Sequence, residues 1–144
     1  MTASAAATVA HTDALEPAKA SIRVRDYGQA VRTLTELAAR GDSGAQYLLG
    51  TMYLAGLGAN ADRARAQQLF TAAAASGDAR AAYGLAALVA SGDPPDPAGA
   101  RQWLERAAEL GHPDARELSR RGALPLAFGL PDALPDEATR RTVL

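Results

Sequence analysis

The residues able to do chemistry in this 144-residue chain are few, and their spacing argues against the usual uses. Histidine occurs twice, at His11 and His112. A helix-borne metal site needs ligands that share one face, and no His-x-x-x-His pair is present. Cysteine is absent, which removes disulfides, thiolate nucleophiles and cysteine metal ligands together. Ser43, Ser76, Ser91 and Ser119 fall at turns or at the ends of helical stripes. None lies in a Gly-x-Ser-x-Gly elbow, the strained turn that exposes a hydrolase nucleophile. Gly56-Leu57-Gly58 separates two helical stripes and follows no strand, so it is not a phosphate cradle. Glu105 and Glu109 stand one helical turn apart with Arg101 and Arg106 beside them, the pattern of a solvated charged face. Arg116, Arg120 and Arg121 make a small basic cluster of the same kind. The expectation is no catalytic residue, no metal and no cofactor.

Whatever the chain does must then rest on its shape. Hydrophobic residues make up 48% and charged residues 22%, ordinary globular usage, while aromatics are only 5%. A core so poor in rings depends on Ala and Leu and on close approach of backbones. The net charge is −1, from 15 basic and 16 acidic residues, which provides no field for nucleic acid or an anionic membrane. Lys19 is the single lysine among the basic residues, and the Arg and Ala enrichment has the look of a high-GC bacterial genome. No run of 18 apolar residues occurs, so no membrane insertion is expected. The opening MTASAAATVAHTDALEP lacks the basic start and apolar run of a signal peptide, and a cytoplasmic location is expected.

The alanines hide a repeat. Gly41, Gly77 and Gly111 are spaced by 36 and 34 residues, and other positions keep step with them. Asp26, Asp62 and Asp96 each lie fifteen residues earlier, and Ala30, Ala66 and Ala100 eleven earlier. Leu34, Phe70 and Leu104 lie seven earlier, and Ala45, Ala81 and Ala115 four later. A low-complexity linker would not hold Asp, Ala, a large apolar residue and Gly in one order three times.

The offsets predict pairs of helices. Asp26, Asp62 and Asp96 are placed to cap a first turn, and Pro97 suits the first helical position. Stripes such as Ala66, Leu69, Phe70, Ala73 and Ala74 then run at helical spacing to a glycine fit for the left-handed C-terminal turn. These are B helices. Asp42 and Asp78 follow as N-caps, with His112-Pro113 in the third copy. The next stripes are Ala45, Leu49, Tyr53 and Ala81, Leu85, Val89, closed by Gly56 and Gly92. These are A helices. Gly50 matches Ala86, keeping that position small enough for axes to approach to about 8 Å.

Residues 1–13 read as a disordered tail and 14–41 as a lead-in helix pair carrying Leu15, Ala18 and Ile22. The repeats run 42–77 and 78–111. A capping helix occupies 113–121, with Ser119 where the stripe wants leucine. Pro125, Pro131 and Pro135 make 122–144 irregular, and Leu126, Phe128 and Leu130 are expected to fold back on helix faces. The chain also reads as a possible fragment of a longer protein.

The units AQYLLGTMYLAGLGANADRARAQQLFTAAAASGD and ARAAYGLAALVASGDPPDPAGARQWLERAAELGH resemble Sel-one-like (Sel1-like) repeats, relatives of the tetratricopeptide repeat. The first matches the family pattern at Ala45, Leu49, Gly50, Tyr53, Gly56, Gly58, Ala66, Phe70, Ala73, Ala74 and Gly77. The second matches at Ala81, Leu85, Gly92, Ala100, Trp103, Ala107, Ala108 and Gly111, and departs at Ala86, Val89 and Leu104. The resemblance implies an all-α fold, an α/α superhelical solenoid of tetratricopeptide-like hairpins. It also implies a bacterial adaptor or scaffold, a protein–protein interaction module holding a protein or peptide in a concave groove lined by A helices.

Within that groove the expected partner-binding residues are Leu48 and Met52, one turn apart, and their repeat equivalents Gly84 and Leu88. Tyr47 and Tyr83 recur in register and are expected to be structural. A monomer is favoured. Two other functions stand beside the adaptor: an envelope-associated hydrolase or ligand-binding protein of the β-lactam-binding type, and an oligomerising part of a longer chain. The β-lactam-associated members are cysteine-rich, and this chain lacks their cysteines.

Overall fold

The same cap chemistry recurs down the chain, and it divides the chain into helices. The computed structural model describes residues 13–125. His11, the rest of the expected N-terminal tail, and the segment from 126 onward with Leu126, Phe128 and Leu130 lie outside the described residues. Asp13, expected in the tail, instead opens a short 3-10 turn, Asp13–Leu15. Seven α-helices follow: α1 Glu16–Arg23, α2 Tyr27–Ala39, α3 Ser43–Ala55, α4 Arg63–Ala75, α5 Ala79–Ala90, α6 Pro97–Glu109 and α7 Pro113–Arg121. Among the described residues there is no strand. Each helix packs against the next in sequence, so the chain is an α/α solenoid of helical hairpins.

The expected aspartates do cap. Carboxylate oxygens accept from the backbone N–H three residues on: Asp26 from Gln29 at 3.2 Å, Asp42 from Ala45 at 2.9 Å, Asp62 from Arg65 at 3.0 Å and Asp96 from Gly99 at 2.9 Å. Asp78 accepts from Arg80 at 3.0 Å and Ala81 at 3.4 Å. Each such cap stabilises a helix start by about 1 kcal/mol.

The helix stops recur too. Gly41, Gly77 and Gly111 take φ of 89°, 93° and 100°. Around each glycine the same two bonds form. Gly41, Gly77 and Gly111 N–H groups donate to Ala38, Ala74 and Ala108. The next residues, Asp42, Asp78 and His112, donate to Leu37, Ala73 and Ala107. This paired closure satisfies carbonyls a helix end would leave bare. One residue thus ends a B helix with its backbone and starts an A helix with its side chain. Gly56 closes α3 in the left-handed region at φ 70°. Gly92, expected to match it, does not: Ser91 is the C-cap of α5, and Gly92 is absent from the residues at positive φ. The shorter loop there closes through Asp96 N–H to Val89 O at 2.9 Å.

Small residues set the spacing. A Cβ on Gly50 would stand 2.8 Å from the Phe70 ring, so α3 and α4 meet at a distance only glycine allows. The alanines at 66, 73, 74, 81, 82, 86, 100 and 107 are buried, which answers why the chain uses so many. The B helices α4 and α6 bury one stripe and leave the rest to solvent. The A helices differ. In α3 every residue from Tyr47 to Met52 is buried, and in α5 the buried set is 81, 82 and 84–88. A helix covered all round is a central helix. The last helix, α7, buries only Ala115 and closes the stack with a polar outer face.

Candidate functional site

The four residues expected to line a groove hold equivalent places on the two A helices, Leu48 and Met52 on α3 and Gly84 and Leu88 on α5. They are not open. Met52 is fully buried, Leu48 and Leu88 are 4% and 3% exposed, and Gly84 is buried as well. The chain itself covers them, so the expectation of an exposed apolar strip at Leu48, Met52, Gly84 and Leu88 is corrected. Sequence YLLGTMYLA carries a hint: it is apolar on almost every side, which marks a helix without a solvent face.

The paired tyrosines do structural work. Tyr47 packs its ring 5.6 Å from that of Phe70, and the Arg80 guanidinium sits over the Tyr47 ring at 4.4 Å. Arg80 also pairs with Asp78 at 2.9 Å, and that hydrogen bond holds the guanidinium pKa above its ordinary value. Tyr83 stacks on His112, with centroids 4.3 Å apart and planes 1° from parallel. Burial pushes the Tyr83 phenol up, and nearby Asp114 adds to it. His112 caps α7 as expected, its Nδ1 accepting from Ala115 N–H at 3.3 Å. Burial holds His112 below the usual histidine pKa, against the smaller pull of Asp114.

Among the described residues no group of three or more His, Asp or Glu gathers as metal ligands. Glu109 and His112 do have Glu-x-x-His spacing, but α6 ends at Glu109 and Gly111 turns the chain between them, so they share no helical face. The charged face behaves as one: Arg106 meets Glu109 at 3.4 Å, and Arg120 and Arg121 both meet Glu117, all with exposed side chains.

Among the described residues, two surface recesses differ in the state of an arginine. The first, about 660 Å³, lies between the start of α4 and the α5–α6 loop, lined by Arg63, Gln67, Val89, Asp93 and Pro94. Its arginine is engaged: Arg63 donates to Leu88 O at 2.6 Å and to Ser91 Oγ at 3.0 Å, bracing the end of α5. The second, about 580 Å³, lies at the C-terminal end of the stack among Tyr83, Arg101, Leu118, Ala123, Leu124 and Pro125. Here the walls are mainly apolar, and no carboxylate among the described residues pairs with Arg101. Sequence reasoning missed this recess. Tyr83 stood out by its recurrence, but Arg101 looked like one more solvated arginine, and only the fold brings it beside Leu118 and Leu124.

The Sel1 repeat family model matches residues 43–78 and 79–112. Among solved structures the chain is similar to a Sel1 repeat protein from Oxalobacter formigenes, at 24% identity and a TM-score of 0.64. The match covers 91% of this chain and 53% of that one, so the chain spans about half the length of that protein. Among curated proteins none matches the sequence significantly. Two tandem repeats with shared caps, shared glycine turns and central A helices therefore make this chain a Sel1-like repeat protein.

Proposed function

We propose that the chain is a non-enzymatic adaptor that holds a segment of another protein in the recess at the C-terminal end of its solenoid. Sel1 repeat proteins are in general protein-interaction modules, which sets the class. The observation that carries the site is Arg101, which has no carboxylate partner among the described residues, beside an apolar wall of Leu118, Leu124 and Pro125. An apolar side chain with a neighbouring carboxylate satisfies both halves: the first leaves water and the second finds a guanidinium. The preformed helices on either side lower the ordering cost of binding.

The test is affinity capture with the wild-type chain beside Arg101→Glu, each checked for equal helicity by circular dichroism. Arg101 is exposed, so the substitution leaves the fold intact. A specific partner held by the wild type and lost by the variant supports the reading. Equal retention by both removes the recess as the site. A wild-type chain that retains nothing above a blank support counts against the adaptor role itself.

A further inference from the structure

We infer that His112 is an acid-sensitive catch that holds the last helix of the stack, α7, in place while its ring is neutral and releases its cap once the ring takes a second proton. The repeat register points to it. The residue after each turn glycine is Asp42, Asp78 and then His112. All three do the same two jobs, donating a backbone N–H to the preceding B helix and accepting a backbone N–H from the following A helix. Only the third does the second job with an imidazole.

That difference has a direct chemical consequence. Nδ1 can accept from Ala115 N–H only while it carries no proton. A neutral ring with its hydrogen on Nε2 meets the need. Protonation puts a hydrogen on Nδ1, so two donors face each other across 3.3 Å. It also places a positive charge at the N-terminal end of α7, the positive end of the helix dipole. The cap becomes a repulsion. A carboxylate in the same slot keeps its acceptor well below this range.

The surroundings oppose protonation and so set the sign. The ring is half-buried and lies flat on Tyr83 of α5. From α7 itself the charge acting on the ring is Asp114, which favours the imidazolium, while Arg116 is engaged elsewhere, its Nε donating to Ala108 O at 3.1 Å. To α6 the residue is tied by its backbone, Ala107 O accepting from His112 N–H at 2.9 Å. Burial outweighs Asp114, and the folded pKa lies below the ordinary value. The unfolded ring therefore takes its proton first as the pH falls. The stabilisation is complete above the unfolded pKa and is lost as the pH drops toward the folded one. α7 is the element to respond, because Ala115 is its only fully buried residue and its main packing is against α6 alone. The inference stands whether or not the neighbouring recess binds a partner.

The experiment is amide hydrogen exchange by NMR on the full chain at pH 7.5 and pH 5.0, with protection factors corrected for intrinsic rates. Protection of the α7 amides is expected to fall roughly five-fold at the lower pH, the scale of a lost N-cap, while α3 and α5 hold. His112→Asp, which restores the residue of the other two repeats, is expected to abolish the fall, and His11→Gln to keep it. Should His112→Asp fold poorly, His112→Asn supplies an uncharged cap with the same expected result. Unchanged α7 protection in the wild type, or an equal fall in His112→Asp or His112→Asn, would overturn the inference.

Discussion

Gly58 shows how much one missing side chain can decide. It sits at φ 75°, and a Cβ there would stand 2.3 Å from the carbonyl oxygen of Tyr27. The α3–α4 loop therefore lies directly on the start of α2. Gly58→Ala meets both a left-handed backbone and a backbone atom that cannot step aside, and it is expected to cost about 2 kcal/mol or more. A urea melt of the variant beside the wild type checks this. The glycine was visible in the sequence as part of a repeat motif, but its contact with Tyr27 was not. The capping aspartates lie at the opposite extreme. Their partners are three residues away, so Asp42 and Asp78 were legible as caps from sequence alone.

At the scale of the helix, the sequence separates two kinds. B helices such as α4 and α6 show a clear stripe, because one face meets the stack and the other meets water. A helices such as α3 and α5 carry apolar residues on most sides and bury them. Overpacking is the expected failure of both. Ala81→Leu and Ala107→Leu each add bulk at a fully buried site, and each is expected to destabilise by about 1–3 kcal/mol. An unchanged melting temperature in either variant would contradict the packing. Leu48→Glu tests the corrected assignment. Its side chain is buried, so a carboxylate there is expected to cost several kcal/mol and to lower helicity at ambient temperature. A variant as stable as the wild type would mean that Leu48 faces water after all.

For the molecule as a whole, the described surface is polar and mixed in sign. Val24 is the only large hydrophobic residue among the described ones that is exposed. Stable self-association needs a sizeable apolar patch, and one exposed valine among the described residues does not make one. Sedimentation at several concentrations is expected to give one species of monomer mass, and a mass that rises with concentration would count against it. The stack is also expected to weaken from its C-terminal end, since α7 has one neighbouring hairpin and the central helices have two. Sel1-like repeats divide the work in this way generally: local turns set the repeat, and stacking makes each unit stable.

The amino-acid sequence alone determined where the helices begin and end, that they pair, and that the pairs repeat. Those features depend on caps, glycine turns and periodicities spanning at most a few residues, and such short-range physics survives without coordinates. Tertiary structure alone decided which apolar residues are covered, and which charged residues have partners. Leu48 and Met52 look like a binding strip until the rest of the chain is placed over them. Arg63 and Arg101 look alike until one reaches the carbonyl of Leu88 and the other stands at an apolar wall with no carboxylate partner among the described residues. Burial and pairing are properties of atoms brought together from distant parts of the chain: the run YLLGTMYLA hints that a helix is covered but not by what, and nothing local separates Arg63 from Arg101.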